Sequence, residues 1–124
     1  MYIEKSVYPF GKKKCLTFSY DDNRNKANVR LVELFKKYNM KATFNINGGR
    51  LADESERNSE EAYNLLFKND LEKTFEGFEI ACHGFNHPHY CYMDNAQMTN
   101  DIIKDRLMLE GILKKPVRGL ALPS

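Results

Sequence analysis

The sequence predicts an α/β protein in which about four parallel strands alternate with helices, forming a barrel or half-barrel whose interior leads to a site. Three observations carry that expectation. Short β-rich runs alternate with helical runs in the order βαβαβαβ. Within each strand run, period-two alternation separates an apolar set from a polar or small set. Asp21, Asn47 and His83 each fall at the C-terminal end of a strand run, where the sites of parallel sheets form.

The first strand is expected over Lys14–Tyr20, with Leu16, Phe18 and Tyr20 on one face and Thr17, Ser19 and Asp21 on the other. A helix is expected over Lys26–Tyr38, where Leu31, Leu34, Phe35 and Tyr38 recur at i, i+3, i+4, i+7. The second strand, Lys41–Asn47, opposes Ala42, Phe44 and Ile46 to Thr43, Asn45 and Asn47. Ser59 before two glutamates reads as an N-cap with acids in the first turn, predicting a helix over Ser59–Asn69. The third strand, Phe78–His83, opposes Phe78, Ile80 and Cys82 to Glu79, Ala81 and His83. A last helix over Thr99–Leu113 sets Ile102, Leu109 and Leu113 on one side, with Arg106 and Glu110 spaced as a structural ion pair. A fourth strand is expected over Val117–Leu122.

Composition bounds the function. With 124 residues, 42% of them apolar and 29% charged, the chain is long enough for one globular domain, expected over 1–124, and too short for two. The 19 basic and 17 acidic residues alternate instead of gathering into a stripe, which excludes nucleic acid as the expected partner. No apolar run is long enough to span a membrane, and the N-terminal MYIEKSVYPF has no export-type apolar stretch. Cys15, Cys82 and Cys91 are odd in number and lack C-x-x-C spacing, so they are expected as reduced thiols, with no zinc ribbon.

Two segments could carry chemistry. Asp21-Asp22-Asn23 puts two carboxylates where the first strand ends, an arrangement that is costly unless a cation neutralises it, although such a sequence also serves as a turn or cap. His83-Gly84-Phe85-Asn86-His87 sets two imidazoles four residues apart on a segment that Gly84 lets bend. Two histidines and one carboxylate are donors for a zinc-class ion and leave a coordination position open for water. His89 is expected at the surface, with a place near the site as the alternative; Phe85, Tyr90 and Tyr92 read as ordinary packing, with a sugar-binding rim as the alternative, and Cys82 is expected on the face away from the site.

These segments resemble those of the polysaccharide deacetylase family of metal-dependent carbohydrate esterases. Leu16-Thr17-Phe18-Ser19-Tyr20-Asp21-Asp22-Asn23 is similar to the family's Thr-Phe-Asp-Asp-Gly segment, His83 to Pro88 to its His-x-x-x-His segment, and Lys41-Ala42-Thr43-Phe44 to its second strand. The resemblance implies an incomplete distorted (β/α) barrel. It implies Asp21 as general base and Asp22, His83 and His87 as ligands of a divalent metal, with zinc first and cobalt, nickel or manganese as alternatives. It implies an acetylated oligo- or polysaccharide as substrate and hydrolytic removal of N- or O-acetyl groups as the reaction. Asn23 replaces the family's glycine, and is expected to adopt the left-handed backbone the turn needs. Ala121-Leu122-Pro123 stands where the family has Arg-x-Pro, and Arg118 lies roughly 10 Å along the expected strand from that position.

The match covers about the first half of the family domain, so the late motifs with a general-acid histidine are absent from these residues. The expectation is therefore a truncated chain that binds metal and turns over slowly, or one that associates with another copy or partner to cover an open half-barrel. The alternative reading is a catalytically silent carbohydrate-binding or assembly module that keeps the metal-site geometry. A third is a structural half-barrel in which Asp22, His83 and His87 never meet. Localisation stays open between cytoplasm and cell envelope.

Overall fold

A three-stranded parallel sheet organises the chain, whose residues 8–123 are described by a computed structural model. Its strands are β1 (Ser19–Asp21), β2 (Thr43–Ile46) and β3 (Glu79–Cys82), in the order β1-β2-β3. Tyr20 pairs with Phe44 and Phe44 with Ile80, so the three strands advance in step and their C-terminal ends meet at one edge. Parallel pairing demands crossovers, supplied by α1 (Asn25–Lys37) between β1 and β2 and by a longer segment ending in α2 (Leu71–Thr74) between β2 and β3. A nineteen-residue helix, α3 (Asn95–Leu113), follows β3. The α/β class and the open, unclosed parallel sheet are as expected. The residues Met1–Val7, on which the expected lack of an export stretch and the start of the 1–124 domain rest, lie outside those described.

The core is built from the apolar faces read in the sequence. Phe44 and Ile46 are wholly buried, and with Phe75, Leu71, Ile80, Leu109 and Leu113 they form one cluster between sheet and helices. Phe44 touches Phe75 at 4.7 Å and Phe78 at 5.6 Å between ring centroids, a packing whose loss through Phe44→Ala would cost ~3–5 kcal/mol. Among the described residues no helix is long and apolar enough to cross a membrane.

Four expectations are corrected. The first strand begins at Ser19, not Lys14, because β2 begins at Thr43, the partner of Ser19, and its last bond in this direction is Thr43 N to Phe18 O at 3.0 Å; Leu16 is exposed. The segment 59–69 is not a helix. Ser59 Oγ does accept from Ala62 N at 3.2 Å, but after a single 3-10 turn (Glu61–Asn64) Leu65 bridges Arg24 and Phe67 bridges Ala52, so pairing with distant chain overrides the local cap. The fourth strand is reduced to one bridge between Cys82 and Leu120, made by Cys82 N to Gly119 O and Ala121 N to Cys82 O, both 2.9 Å. Pro116 and Pro123, which have no N–H to donate, flank this short contact. The last helix starts at Asn95, not Thr99, because Asp94 and Gln97 cap each other reciprocally.

The faces of two helices also differ from the reading. On α1 the buried stripe is Asn28, Val32 and Phe35 with Leu31 beside it, while Leu34 and Tyr38 are exposed, a rotation that brings an asparagine to the top of the core. On α3 the stripe is Asp105, Leu109 and Leu113, so a carboxylate occupies the turn where Ile102 was expected to lead the apolar side. Arg106 and Glu110 do pair, at 2.9 Å, and Glu110 also accepts Val117 N, the structural role expected of them.

Candidate metal centre

The ends of β1 and β3 deliver the expected donors to one place. Each of Asp22, His83 and His87 offers one ligand atom such that all three lie within 4.8 Å of one another. His87 Nε2 is 3.6 Å from Asp22 Oδ1, and the two imidazoles meet edge-on with centroids 4.9 Å apart. The reading in which these residues never meet is thereby set aside. Asp21 sits at the same mouth, half-exposed, with Oδ2 4.0 Å from His83 Nε2.

Two of the five non-glycine residues with positive φ among the described residues belong to this group. Asp22 has φ +77° and His87 φ +56°, a left-handed conformation that costs a non-glycine residue about 1–3 kcal/mol and persists only where surrounding contacts enforce it. Asn23 was expected to take that conformation in place of the family glycine; the residue that takes it is Asp22. Gly84, at φ +73°, makes the bend read from the sequence, and a Cβ there would stand 2.9 Å from Pro88 Cδ and Tyr90 Oη.

The contacts that hold the turn at Asp22 and the ends of the strands come from buried amides, of which Asn28 and Asn45 had no role in the sequence reading. Asn28, on α1, donates to Asp22 O and Arg24 O, both at 3.0 Å, clamping the turn after β1. Asn23 Nδ2 donates to Asn47 O at 2.7 Å while Asn47 N donates to Asn23 Oδ1 at 2.9 Å, which ties the end of β1 to that of β2. Asn47 Nδ2 then donates to His83 O and Gly84 O, tying β2 to β3. Asn45 donates to Asp21 Oδ1 at 2.6 Å and to Ser19 Oγ at 2.7 Å, holding one carboxylate oxygen and leaving Oδ2 toward the site. The signal for Asn45 was its place on the polar face of a central strand, where an uncharged, non-turn amide has to find partners.

Two carboxylates of α3 complete the frame, and the sequence reading missed both. Asp105, fully buried, accepts Gly48 N at 2.6 Å and His83 N at 2.9 Å. Burial pushes its carboxyl up to about 6 against the lowering effect of those two N–H donors. Asp101 accepts Phe85 N at 2.8 Å and the Tyr90 hydroxyl at 2.7 Å, fixing the loop between the histidines. An acid four residues before Leu109 on an apolar stripe was the available signal for Asp105.

The donor set fits a zinc-class ion. His83 Nδ1 lies 3.0 Å from Ala121 O, which only accepts, so Nδ1 holds the proton and Nε2 presents its lone pair. Asp22 Oδ1 is buried and has no hydrogen-bond partner, the condition of a ligand atom in want of a cation. Asn28 Oδ1 and Asn47 Oδ1 share it, but their side chains are engaged through the amide NH2. The remaining candidates stay outside. His89 and Tyr92 are exposed, and Tyr90 is buried beneath the loop with its hydroxyl on Asp101. Cys82 points into the core with its thiol pushed up by burial to about 12, and Cys15, Cys82 and Cys91 are all free, as expected. Arg118 lines a groove with Phe78 and Glu79 at the opposite end of β3.

The family model for polysaccharide deacetylase matches residues 10–124. The chain belongs to the polysaccharide deacetylase family. Among solved structures it is similar to a Streptococcus pyogenes deacetylase, PplD, determined in complex with acetate: 23% identity, TM-score 0.74, covering 90% of this chain and 47% of that one. A CE4 family pseudoenzyme from Bacillus anthracis aligns at 22% identity and TM-score 0.65, covering 90% and 36%. The peptidoglycan deacetylase PdaC from Bacillus subtilis aligns at 20% and 0.62, covering 90% and 50%. The chain spans about half the length of these structures or less, and at such identities they establish the shared fold. No curated protein sequence matches it.

Proposed function

We propose that the chain carries the metal centre of a divalent-metal-dependent deacetylase acting on N- or O-acetylated polysaccharide, with Asp22, His83 and His87 as ligands and Asp21 as general base. The supporting observation is the buried, unpartnered Asp22 Oδ1 standing among two imidazoles whose donor atoms lie within 4.8 Å. Zinc is the first expectation, and cobalt, nickel and manganese share the preference for imidazole and carboxylate. When bound, the ion supplies Lewis acidity that polarises the acetyl carbonyl and lowers the pKa of water toward ~7. The protein's own contribution is orientation and proton transfer. Asp21, anchored through Oδ1 by Asn45, offers Oδ2 to receive the proton of the attacking water. His83 keeps its ring fixed by donating Nδ1–H to Ala121 O. The proposal treats the chain as one folding unit belonging to a deacetylase domain.

Metal stoichiometry after zinc loading and desalting tests the reading, beside Asp22→Ala and His83→Ala. About one ion per chain, lost in both variants, is expected; an ion retained by both, or none in folded protein, refutes it. A second reading, the catalytically silent module, is favoured by Ala121-Leu122-Pro123 standing where the family has Arg-x-Pro. Acetate release from acetylated oligosaccharides separates the two: sugar binding without acetate at full metal loading supports the silent module.

A further inference from the structure

Beside Asp22 a cleft of ≈ 440 Å³ opens between the start of α1, the turn after β2 and the segment around Asn64. That volume falls within the ~300–1,000 Å³ of small-ligand sites. Its charged lining is Arg24, Lys26 and Arg50 against the single acid Asp22, whose inner oxygen belongs to the metal centre. Among the described residues neither Arg24 nor Arg50 has a carboxylate within ion-pair distance, and Lys26 is steadied by the Tyr63 hydroxyl and ring. The start of α1 adds to this positive field: no side chain caps it and its first turn holds no acid, so its free N–H groups and dipole are uncompensated. A wholly neutral acetylated polymer would offer these cations hydrogen-bond acceptors but no opposite charge.

We propose that this cleft receives an anionic group, carboxylate or phosphate, carried by the sugar residue next to the one that is deacetylated. The inference rests on the deacetylase reading and deepens it by naming the substrate class, an acidic polysaccharide. All three cations are exposed at the rim, so each contributes modestly and their joint effect is sensitive to salt.

The test compares acetylated oligosaccharides of equal length that are neutral, carboxylate-bearing or phosphate-bearing, by kcat/KM for acetate release and by calorimetric binding to the zinc-loaded chain. An acidic-to-neutral ratio of roughly tenfold at low salt is expected, approaching one at ~1 M salt. The double variant Arg24→Gln/Arg50→Gln, which leaves Lys26 and the start of α1, is expected to remove most of the preference, and Arg24→Lys/Arg50→Lys to retain most of it. The larger of the two acidic ratios identifies carboxylate or phosphate as the source. Turnover of the neutral oligomer with no acidic preference overturns the inference and leaves the deacetylase reading intact. Absence of acetate from every oligomer overturns that reading instead. Binding then decides the cleft: an acidic preference mostly lost in the double variant supports it, and equal binding overturns it.

Discussion

Asp105 allows the electrostatics of the frame to be tested without reference to activity. Its carboxyl, ordinarily near 3.8, is pushed up to about 6 by burial inside α3's packing face. A raised folded-state pKa means that the native protein binds the proton more tightly than the unfolded chain between those values. The stabilisation is therefore complete below 3.8 and is lost as pH rises through about 6. A rise of about two pH units at ~1.4 kcal/mol each gives about 3 kcal/mol in total, of which about 2 falls between roughly pH 4.5 and pH 7.5. Asp105→Asn keeps the shape and removes the titration. It also sets an NH2 against one of the two N–H donors, and His83 N, which shares Ile46 O at 3.1 Å, is the donor better able to tolerate it. That penalty of ~1–3 kcal/mol is independent of pH and cancels when the difference between variant and parent is followed across pH. Urea unfolding with chelator present should show the variant gaining about 2 kcal/mol on the parent from acid to neutral. A difference that stays constant across that range would refute the assignment of Asp105 as a carboxylate held against its charge.

Three further predictions follow from the geometry. Asn45→Ala frees Asp21 Oδ1 but touches no metal donor, so zinc stoichiometry should hold while kcat for acetate release falls by ~10- to 100-fold; equal loss of both would mean that Asn45 is merely structural. Gly49→Ala puts a methyl about 2.5 Å from Phe85 Cδ1, on the loop joining His83 to His87. Zinc affinity should weaken with a stability loss of ~1–3 kcal/mol, read by competition with a chelating dye and by thermal unfolding; unchanged affinity would mean the loop yields freely. Cys82, its thiol at about 12, should resist alkylation near pH 8 while exposed Cys15 and Cys91 react; mass spectrometry should count two adducts on folded protein and three after denaturation.

What the sequence disclosed depended on whether the signal was periodic or relational. The apolar faces of β2 and β3 alternate cleanly, and Ala42, Phe44, Ile80 and Cys82 are buried as their spacing implied. Asp21, Asn47 and His83 at strand ends were legible for the same reason, since parallel strands in register bring those ends together. The segment 59–69 was not legible, because its Ser59 cap is genuine and only the pairing of Leu65 with Arg24 and Phe67 with Ala52 stops the helix. The α1 stripe was misread by a fraction of a turn because Asn28, buried for its hydrogen bonds, does not register as apolar. The same blindness hid Asp105: a polar side chain in the core is specified by partners far away in sequence, here Gly48 and His83.

Uncharged amides are a physically sensible choice for holding this site. Asn23, Asn28, Asn45 and Asn47 are all buried around the ends of β1 and β2. An amide both donates and accepts, so Asn23 and Asn47 can close a reciprocal pair, and each bond costs no ionic desolvation. A lysine or arginine in their place would bring a buried positive charge beside the proposed cation site, where like-charge repulsion would weaken the hold on an ion. The amides also act mostly on main-chain oxygens, those of Asp22, His83 and Gly84, which leaves the side-chain donors free. The exception is Asp21, the proposed base, held through one carboxylate oxygen by Asn45 with the other left 4.0 Å from His83 Nε2. Under the proposed roles the contacts divide accordingly: Asp22 and His83 are held through their main-chain oxygens, the His83 ring also through Ala121 O, and Asp21 through the oxygen that proton transfer would not use.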